Sequence, residues 1–181
     1  RHPGFVRTKN GAKVAYAPDL GFAKTGYHPI KWLSDDATMD TNTSPCDNDV
    51  PLMRYAEVLL NYAEAKAELA ALGKVTFEQA DLDKSINKIR KRAKMPDLKM
   101  QGLTACQYME SCYPNVEKGS LKAVILEIRR ERAIELFKEG FRWDDLMRWK
   151  EGLCINQVMY GQYFPGLGEY DLTGDNKPDI V

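Results

Sequence analysis

Residues 53–69 read MRYAEVLLNYAEAKAEL. Side chains with apolar bulk recur there at helical spacing: Leu52, Tyr55, Ala56, Leu59, Tyr62, Ala63, Ala67 and Ala70. The aliphatic stem of Lys66 completes the stripe. Alanine is abundant, which favours helix and lets a neighbouring helix approach closely. Gly73 is a natural stop. The spacing predicts a helix over 54–72.

Working outward, Thr76 and Gln79 have the spacing of a capping box. Leu82, Ile86, Ile89 and Ala93 then share one face, and Pro96 follows. A second helix is expected over 77–94, packed antiparallel on the first. Such a helical hairpin has about the size of one tetratricopeptide unit, without its usual Trp and Pro landmarks. Residues 97–119 read as a loop with one short helix. Ser120 is placed to cap a third helix over 121–138, which Gly140 would stop. A short aromatic helix is expected over 143–151, ending at Gly152.

The flanks differ. Residues 1–50 are rich in Gly, Pro, Asp, Asn and Thr and show no long helical pattern. Short strand-like pieces fall at Lys13–Tyr16 and Tyr27–Leu33. Residues 153–181 are irregular. The expected fold is therefore mainly α: a tetratricopeptide-like helical hairpin plus further helices, with long irregular loops and short β-strands. One domain is expected, with a loop-rich segment over 1–50, a helical core over 51–152 and an irregular tail over 153–181.

Composition narrows the function classes. Lys+Arg and Asp+Glu both number 26, so there is no basic excess of the kind nucleic-acid binding requires. The longest aliphatic run is Ala123–Leu126, far short of a membrane span. The chain starts RHPGFVRTKN, with no initiator Met and no secretion signal, and reads as a fragment or processed product. The four cysteines, Cys46, Cys106, Cys112 and Cys154, contain no CxxC, and His2 and His28 are the only histidines. A zinc site is not expected. Free thiols are favoured over a Cys106–Cys112 disulfide.

The third helix carries an unusual stripe. Leu121, Val124, Ile125 and Ile128 define a face that continues into Arg132, Glu135 and Glu139. The stripe changes from apolar to ionic halfway along. Arg132 can pair with Glu135, and Glu127 with Arg130, within the helix. Arg129 and Glu131 need partners from elsewhere, with Arg142, Arg148 and Arg54 the groups to consider for the cluster. A catalytic acid or ligand clamp is one reading. A buried ion network that locks helices together is the favoured one, because several Arg groups are available to satisfy it.

Three stretches together resemble the SusD/RagB family: MRYAEVLLNYAEAKAEL (53–69), INKIRKRAKMP (86–96) and ERAIELFKEGFRWDDLMRWKEG (131–152). The resemblance implies a mostly α-helical, lipid-anchored protein on the outer surface of a Gram-negative cell. It implies a lid on a SusC-like TonB-dependent transporter, binding oligosaccharides or similar nutrients without cleaving them. Membrane attachment would come only through a lipidated N-terminus absent from this stretch. The motif residues Tyr55, Leu59, Tyr62, Trp143 and Trp149 read as packing residues, so ligand contacts are expected in loops.

Sugar capture needs flat aromatic faces beside hydrogen-bonding groups. Residues 1–50 supply Tyr16, Phe22, Tyr27 and Trp32 beside Lys31, Asp35, Asp36 and Asn42. The expected ligand-binding residues are Trp32, Tyr27, Tyr16, Asp35 and Asn42, with Trp32 foremost. Tyr160, Tyr163, Phe164 and Tyr170 in the tail come next. Asp171, Thr173, Asp175 and Asp179 echo positions of a calcium loop, but Asn176 stands where Gly belongs, so a polar turn is favoured. Asp144 and Asp145 are adjacent on a helix and diverge by about 100°. There is no Ser/His/Asp arrangement and no phosphate-cradling Gly loop. No catalytic residue, metal or cofactor is expected. The rival readings are a helical-repeat module that binds only protein and a glycoside hydrolase fragment.

Overall fold

The computed structural model describes residues 5–16, 27, 29, 31, 32, 49, 51–158, 160–173 and 175–180. Helix dominates these residues, and the chain is mainly α. Its contacts divide into two compact units, Pro51–Gln157 and Arg1–Val50 with Val158–Val181.

The first unit holds six helices: α1 (Tyr55–Ala71), α2 (Gln79–Lys84), α3 (Ile86–Arg92), α4 (Gln107–Cys112), α5 (Lys122–Glu135) and α6 (Phe141–Arg148). α1 packs along α5 and also touches α2 and α3. Leu60, Ala63 and Ala67 of α1, Leu82 and Ile86 of α2 and α3, Ile125, Leu126 and Ile128 of α5, and Leu146 of α6 form the centre of the core. Each fully buried Leu or Ile contributes about 1.5–3 kcal/mol relative to exposure.

α1 ends as the glycine predicts. Gly73 takes a left-handed φ of +69°, Lys74 N–H donates to Leu69 C=O (3.0 Å), and Gly73 N–H donates to Ala70 C=O (2.9 Å). The buried face of α1 is rotated from the expected one. It centres on Leu59, Leu60, Ala63 and Ala67, with Ala56 and Ala70 at its margin. Leu52, Tyr55 and Tyr62 lie outside it, and with Val58, Leu69 and Leu72 they form a second, exposed apolar ridge. Alanines fit against α5 where tyrosines would hold the axes apart.

The expected single helix over 77–94 is two. Ser85 breaks it with φ −125° and ψ −90°, and its buried Oγ donates to Asp81 C=O at 2.5 Å. A serine hydroxyl thus takes a carbonyl that the helix ladder would have used. The capping box also shifts. Glu78, not Thr76, caps α2, with Asp81 reaching back to Glu78 N–H at 2.9 Å. Gln79 instead grips the following loop, donating to Leu98 C=O (2.9 Å) and accepting from Met100 N–H (2.9 Å). Asn87 does the same, donating to Leu98 C=O and accepting from Leu98 N–H. Two side-chain amides therefore hold residues 98–100 as a strand neighbour would.

Ser120 does not cap α5. It sits inside a 3-10 turn, Gly119–Leu121, and Leu121 occupies the cap position without a side-chain bond. α6 begins two residues earlier than expected, immediately after left-handed Gly140.

In the second unit, β1 (Phe5–Lys9) and β2 (Ala12–Tyr16) form an antiparallel hairpin. Asn10 and Gly11 turn it with φ of +50° and +78°, the geometry an Asn-Gly pair favours. Lys13–Tyr16 is a strand as expected. The described residues of 27–33 are not: Lys31 and Trp32 sit in a turn. In the tail, Tyr170 and Ile180 form an isolated bridge, and Phe164 meets Tyr170 edge-on at 4.9 Å.

Candidate functional site

The ionic half of the α5 stripe is buried between α1 and α6. Arg132 Nε donates to Asp145 Oδ2 at 2.7 Å, and its Nη1 donates to Asn61 Oδ1 at 2.7 Å. Arg148 grips Glu64 with both terminal nitrogens, Nη2 at 2.7 Å from Oε2, and also reaches Asp145 Oδ1 at 2.8 Å. Trp149 Nε1 donates to Glu64 Oε1 at 2.6 Å. Helices α1, α5 and α6 are thus pinned by one shared set of charges. Burial pushes the Glu64 carboxyl up, but hydrogen bonds from Arg148 and Trp149 and the charges of Arg148 and Arg132 outweigh it. The group is held below its ordinary value of 4.5.

Beside this set, Arg129 lies close to two rings. Its guanidinium carbon is 4.6 Å from the Trp149 ring centre and 5.5 Å from that of Tyr113. Its charge partners are Glu151 at 3.4 Å and Glu68 at 3.7 Å. Glu151 is fully buried, and burial raises its carboxyl despite Arg129 and the Asn115 hydrogen bonds. Among the described residues, Arg129 Nε is the buried side-chain nitrogen or oxygen with no hydrogen-bond partner.

Arg132 therefore belongs to a buried network reaching α6, as expected. Glu135 turns the other way, to Arg54 (2.5 Å) and Arg92 (2.6 Å), and Glu139 joins it on Arg54 at 2.7 Å. Glu131 finds Arg90 at 2.5 Å. Glu127 pairs with Arg130 within the helix as expected. Arg142 serves neither cluster, donating to the Tyr113 hydroxyl at 2.8 Å and to Cys154 at 3.3 Å.

An open cleft of about 370 Å³ lies over this network, lined by Asn61, Glu64, Ala65, Glu68, Arg132 and Arg148. Glu64 is clamped by Arg148 and held ionised, and Glu68 pairs with Lys118 at 2.9 Å. That arrangement positions helices.

The expected ligand residues lie in the other unit. Trp32 is about half exposed, 48%, and occupies a left-handed turn position with φ +64°. A bulky residue there is uncommon and strained. Lys31 Nζ lies 5.7 Å from its ring centre, so the two are brought together. Tyr27 is 57% exposed. The backbone of Tyr16 pairs opposite Phe5 in the hairpin. Asp35 and Asn42 lie outside the described residues. Tyr160 and Tyr163 of the tail are exposed.

The SusD family profile matches residues 3–176 of the 181-residue chain. The chain belongs to the SusD family. No curated protein and no solved structure matches it. SusD-family proteins are generally non-catalytic binding proteins, associated with nutrient uptake at outer-membrane transporters.

The expected packing residues of the SusD motif divide. Leu59 and Trp149 are buried as expected, whereas Tyr55, Tyr62 and Trp143 are exposed. Tyr62 still has a structural role, since its hydroxyl donates to Asp81 at 2.8 Å beside Lys66 at 2.6 Å. In the calcium-like stretch, Asp179 accepts Leu172 and Thr173 N–H, and Asp171 accepts Asn176 N–H. These are the bonds of a polar turn. No group of metal-binding side chains occurs among the described residues, and no helix there is long and apolar enough to cross a membrane. Cys106 caps α4 and Cys112 ends it, about 9 Å apart at 1.5 Å per residue, too far for a disulfide.

The depressed Glu64 carboxyl sets an expected pH dependence. Its stabilising contribution is complete above the unfolded value, near 4.5, and is lost as pH falls through the lower folded value. Wild type should therefore lose stability on acidification below about pH 5 more steeply than Glu64→Gln. Urea midpoints measured from pH 7 to pH 3 check this. Parallel curves would show that Glu64 contributes nothing.

Proposed function

We propose that this SusD-family chain captures oligosaccharides at the outer surface of the outer membrane and passes them to a SusC-like TonB-dependent transporter. It binds without cleaving. The family match across residues 3–176 is the observation that carries this reading. The buried network supports it, because the charged residues of the helical core are committed to one another. The ligand face is assigned to the first 50 residues, with Trp32 as the stacking platform and Tyr27, Tyr16, Asp35 and Asn42 around it. A half-exposed tryptophan in a strained turn beside a lysine suits the apolar face of a sugar ring and its hydroxyls. Localisation as a lipid-anchored surface protein follows from the same family reading.

Calorimetry against a panel of oligosaccharides tests both parts. One class of glycan should bind, with no hydrolysis products. Trp32→Ala should weaken that binding about fivefold, equivalent to about 1 kcal/mol of lost stacking, at unchanged melting temperature. Unchanged affinity would move the platform to Tyr160 and Tyr163. A second reading, a helical module that binds only protein, draws on the exposed ridge of Val58, Tyr62 and Leu69 on α1 with Leu72 just past its end. Capture of the transporter with no glycan bound would favour it.

A further inference from the structure

The cleft over the ionic network is walled by three helices. Asn61, Glu64, Ala65 and Glu68 line it from α1, Arg132 from α5 and Arg148 from α6. Helical spacing puts the four α1 residues on one side of that helix. Ala65 is exposed, and its small side chain leaves the space open. The volume, about 370 Å³, falls within the range of small-molecule sites.

Hydrogen-bonding capacity in this cleft is lopsided. A guanidinium only donates, so the 2.7 Å bond from Arg132 Nη1 fixes the Asn61 carbonyl oxygen toward α5 and leaves the Asn61 NH2 group outward. Among the described residues that NH2 group has no acceptor. Arg132 Nε and Nη1 are taken by Asp145 and Asn61, whereas Nη2 has no acceptor among the described residues. Arg132 is only 5% exposed, yet Nη2 is not sealed inside, since the sealed nitrogen without a partner is Arg129 Nε. Nη2 therefore opens on the cleft that Arg132 lines. Arg148 Nη1 spends one N–H on Glu64 and keeps the other, on a side chain that is 44% exposed. The acceptors, by contrast, are taken. Both Glu64 oxygens accept from Arg148, and one accepts from Trp149 as well. Glu68 faces Lys118 at 2.9 Å and Arg129 at 3.7 Å.

We propose that this cleft binds a compact monocarboxylate, held by Arg132 Nη2, Asn61 Nδ2 and Arg148 Nη1. A group that completes three donors must itself only accept, and an ionised carboxylate does so with two oxygens in one plane. A hydroxyl would bring a donor of its own to carboxylates that are already occupied. Charge sets the limit of one. Arg132 and Arg148 balance Glu64 and Asp145, and Lys118 offsets Glu68. A single negative charge is gripped by short-range hydrogen bonds, while a phosphate dianion would meet Glu64 and Glu68 with no cation left over. The carboxylate can belong to a peptide C-terminus or to a uronic sugar, and the shared group is what the cleft reads. The site is built from other residues than the ligand face assigned to the first 50 residues, and it does not rest on that assignment.

The test titrates the isotope-labelled whole chain with N-acetylglycine and with glucuronate, each against its uncharged amide, and follows amide NMR resonances. At least one acid should saturably shift the Asn61 side-chain amide and the Ala65 backbone amide, and should bind about tenfold or more tightly than its amide. The acid that saturates names the source of the carboxylate, and equal binding by both shows that the carboxylate alone is read. Asn61→Asp keeps an acceptor for Arg132 but replaces the outward donor with a negative oxygen. It should abolish binding without lowering the melting temperature, a split that a purely structural role for Asn61 does not give. Ala65→Leu should abolish binding by filling the cleft, with every charged group intact. The wild-type titrations decide even where a variant folds poorly. No saturable shift with either acid, shifts that fall on other residues, amides that bind as tightly as the acids, or binding retained in either folded variant would overturn the proposal.

Discussion

Arg132→Ala is expected to lower stability by about 3–5 kcal/mol. Arg132 is 5% exposed and joins three helices through Asp145 and Asn61, with Glu64 at 3.9 Å. Its removal leaves Asp145 buried with only Arg148 for a charge partner. The cost comes mainly from that stranded carboxylate rather than from the net value of the pair, because separating both charges from water in the first place was costly. A double substitution, Arg132→Met with Asp145→Leu, should therefore cost less than the sum of the single changes. Thermal unfolding reads this directly, with a fall of about 10 °C for Arg132→Ala in a chain of this size. A melting temperature within 2 °C of wild type would show that water reaches the network and screens it.

Trp149→Ala should cost a similar amount, about 3–5 kcal/mol, for a different reason. The indole is buried and fills the space between α6 and Tyr113, which it meets edge-on at 5.9 Å. Arg129 and Arg148 stack on it at 4.6 and 4.7 Å, and its Nε1 bonds Glu64. Truncation leaves a cavity, removes both cation–π contacts and takes one donor from Glu64. Trp149→Phe separates these effects. It keeps most of the ring volume and loses the N–H, so it should cost only about 1–2 kcal/mol. Urea unfolding of the three proteins gives the comparison. Equal losses for Phe and Ala would mean that the Glu64 bond, not packing, is what Trp149 contributes.

Arg132 was visible in sequence as a charged interruption of an apolar stripe, and Trp149 as a packing residue of the third family stretch. Arg132, on the face of Ile125 and Ile128, had to be satisfied where it was buried. Its partner was less visible. Glu135 is three residues away and looked suitable, yet it faces Arg54 and Arg92. Asp145 on α6 comes nearer to Arg132 because α6 folds back after Gly140, a geometry that helical spacing within α5 does not contain.

Local periodicity by itself determined that α1 exists, where it stops, and that α5 carries buried charge, because those depend on neighbours within a turn or two of chain. The three quoted stretches, read together, determined the family. The Asn10-Gly11 turn is an equally local feature, but the sequence reading foresaw only the strand at Lys13–Tyr16, and the hairpin came from the structure. Tertiary structure alone decided which of the two apolar faces of α1 is buried, since both satisfy the same spacing and only close packing of alanines on α5 distinguishes them. It also decided the break at Ser85, where a buried hydroxyl takes the Asp81 carbonyl, and the pairing of Arg132 on α5 with Asp145 on α6. Such contacts are set by how whole helices pack, and no residue's sequence neighbours record that.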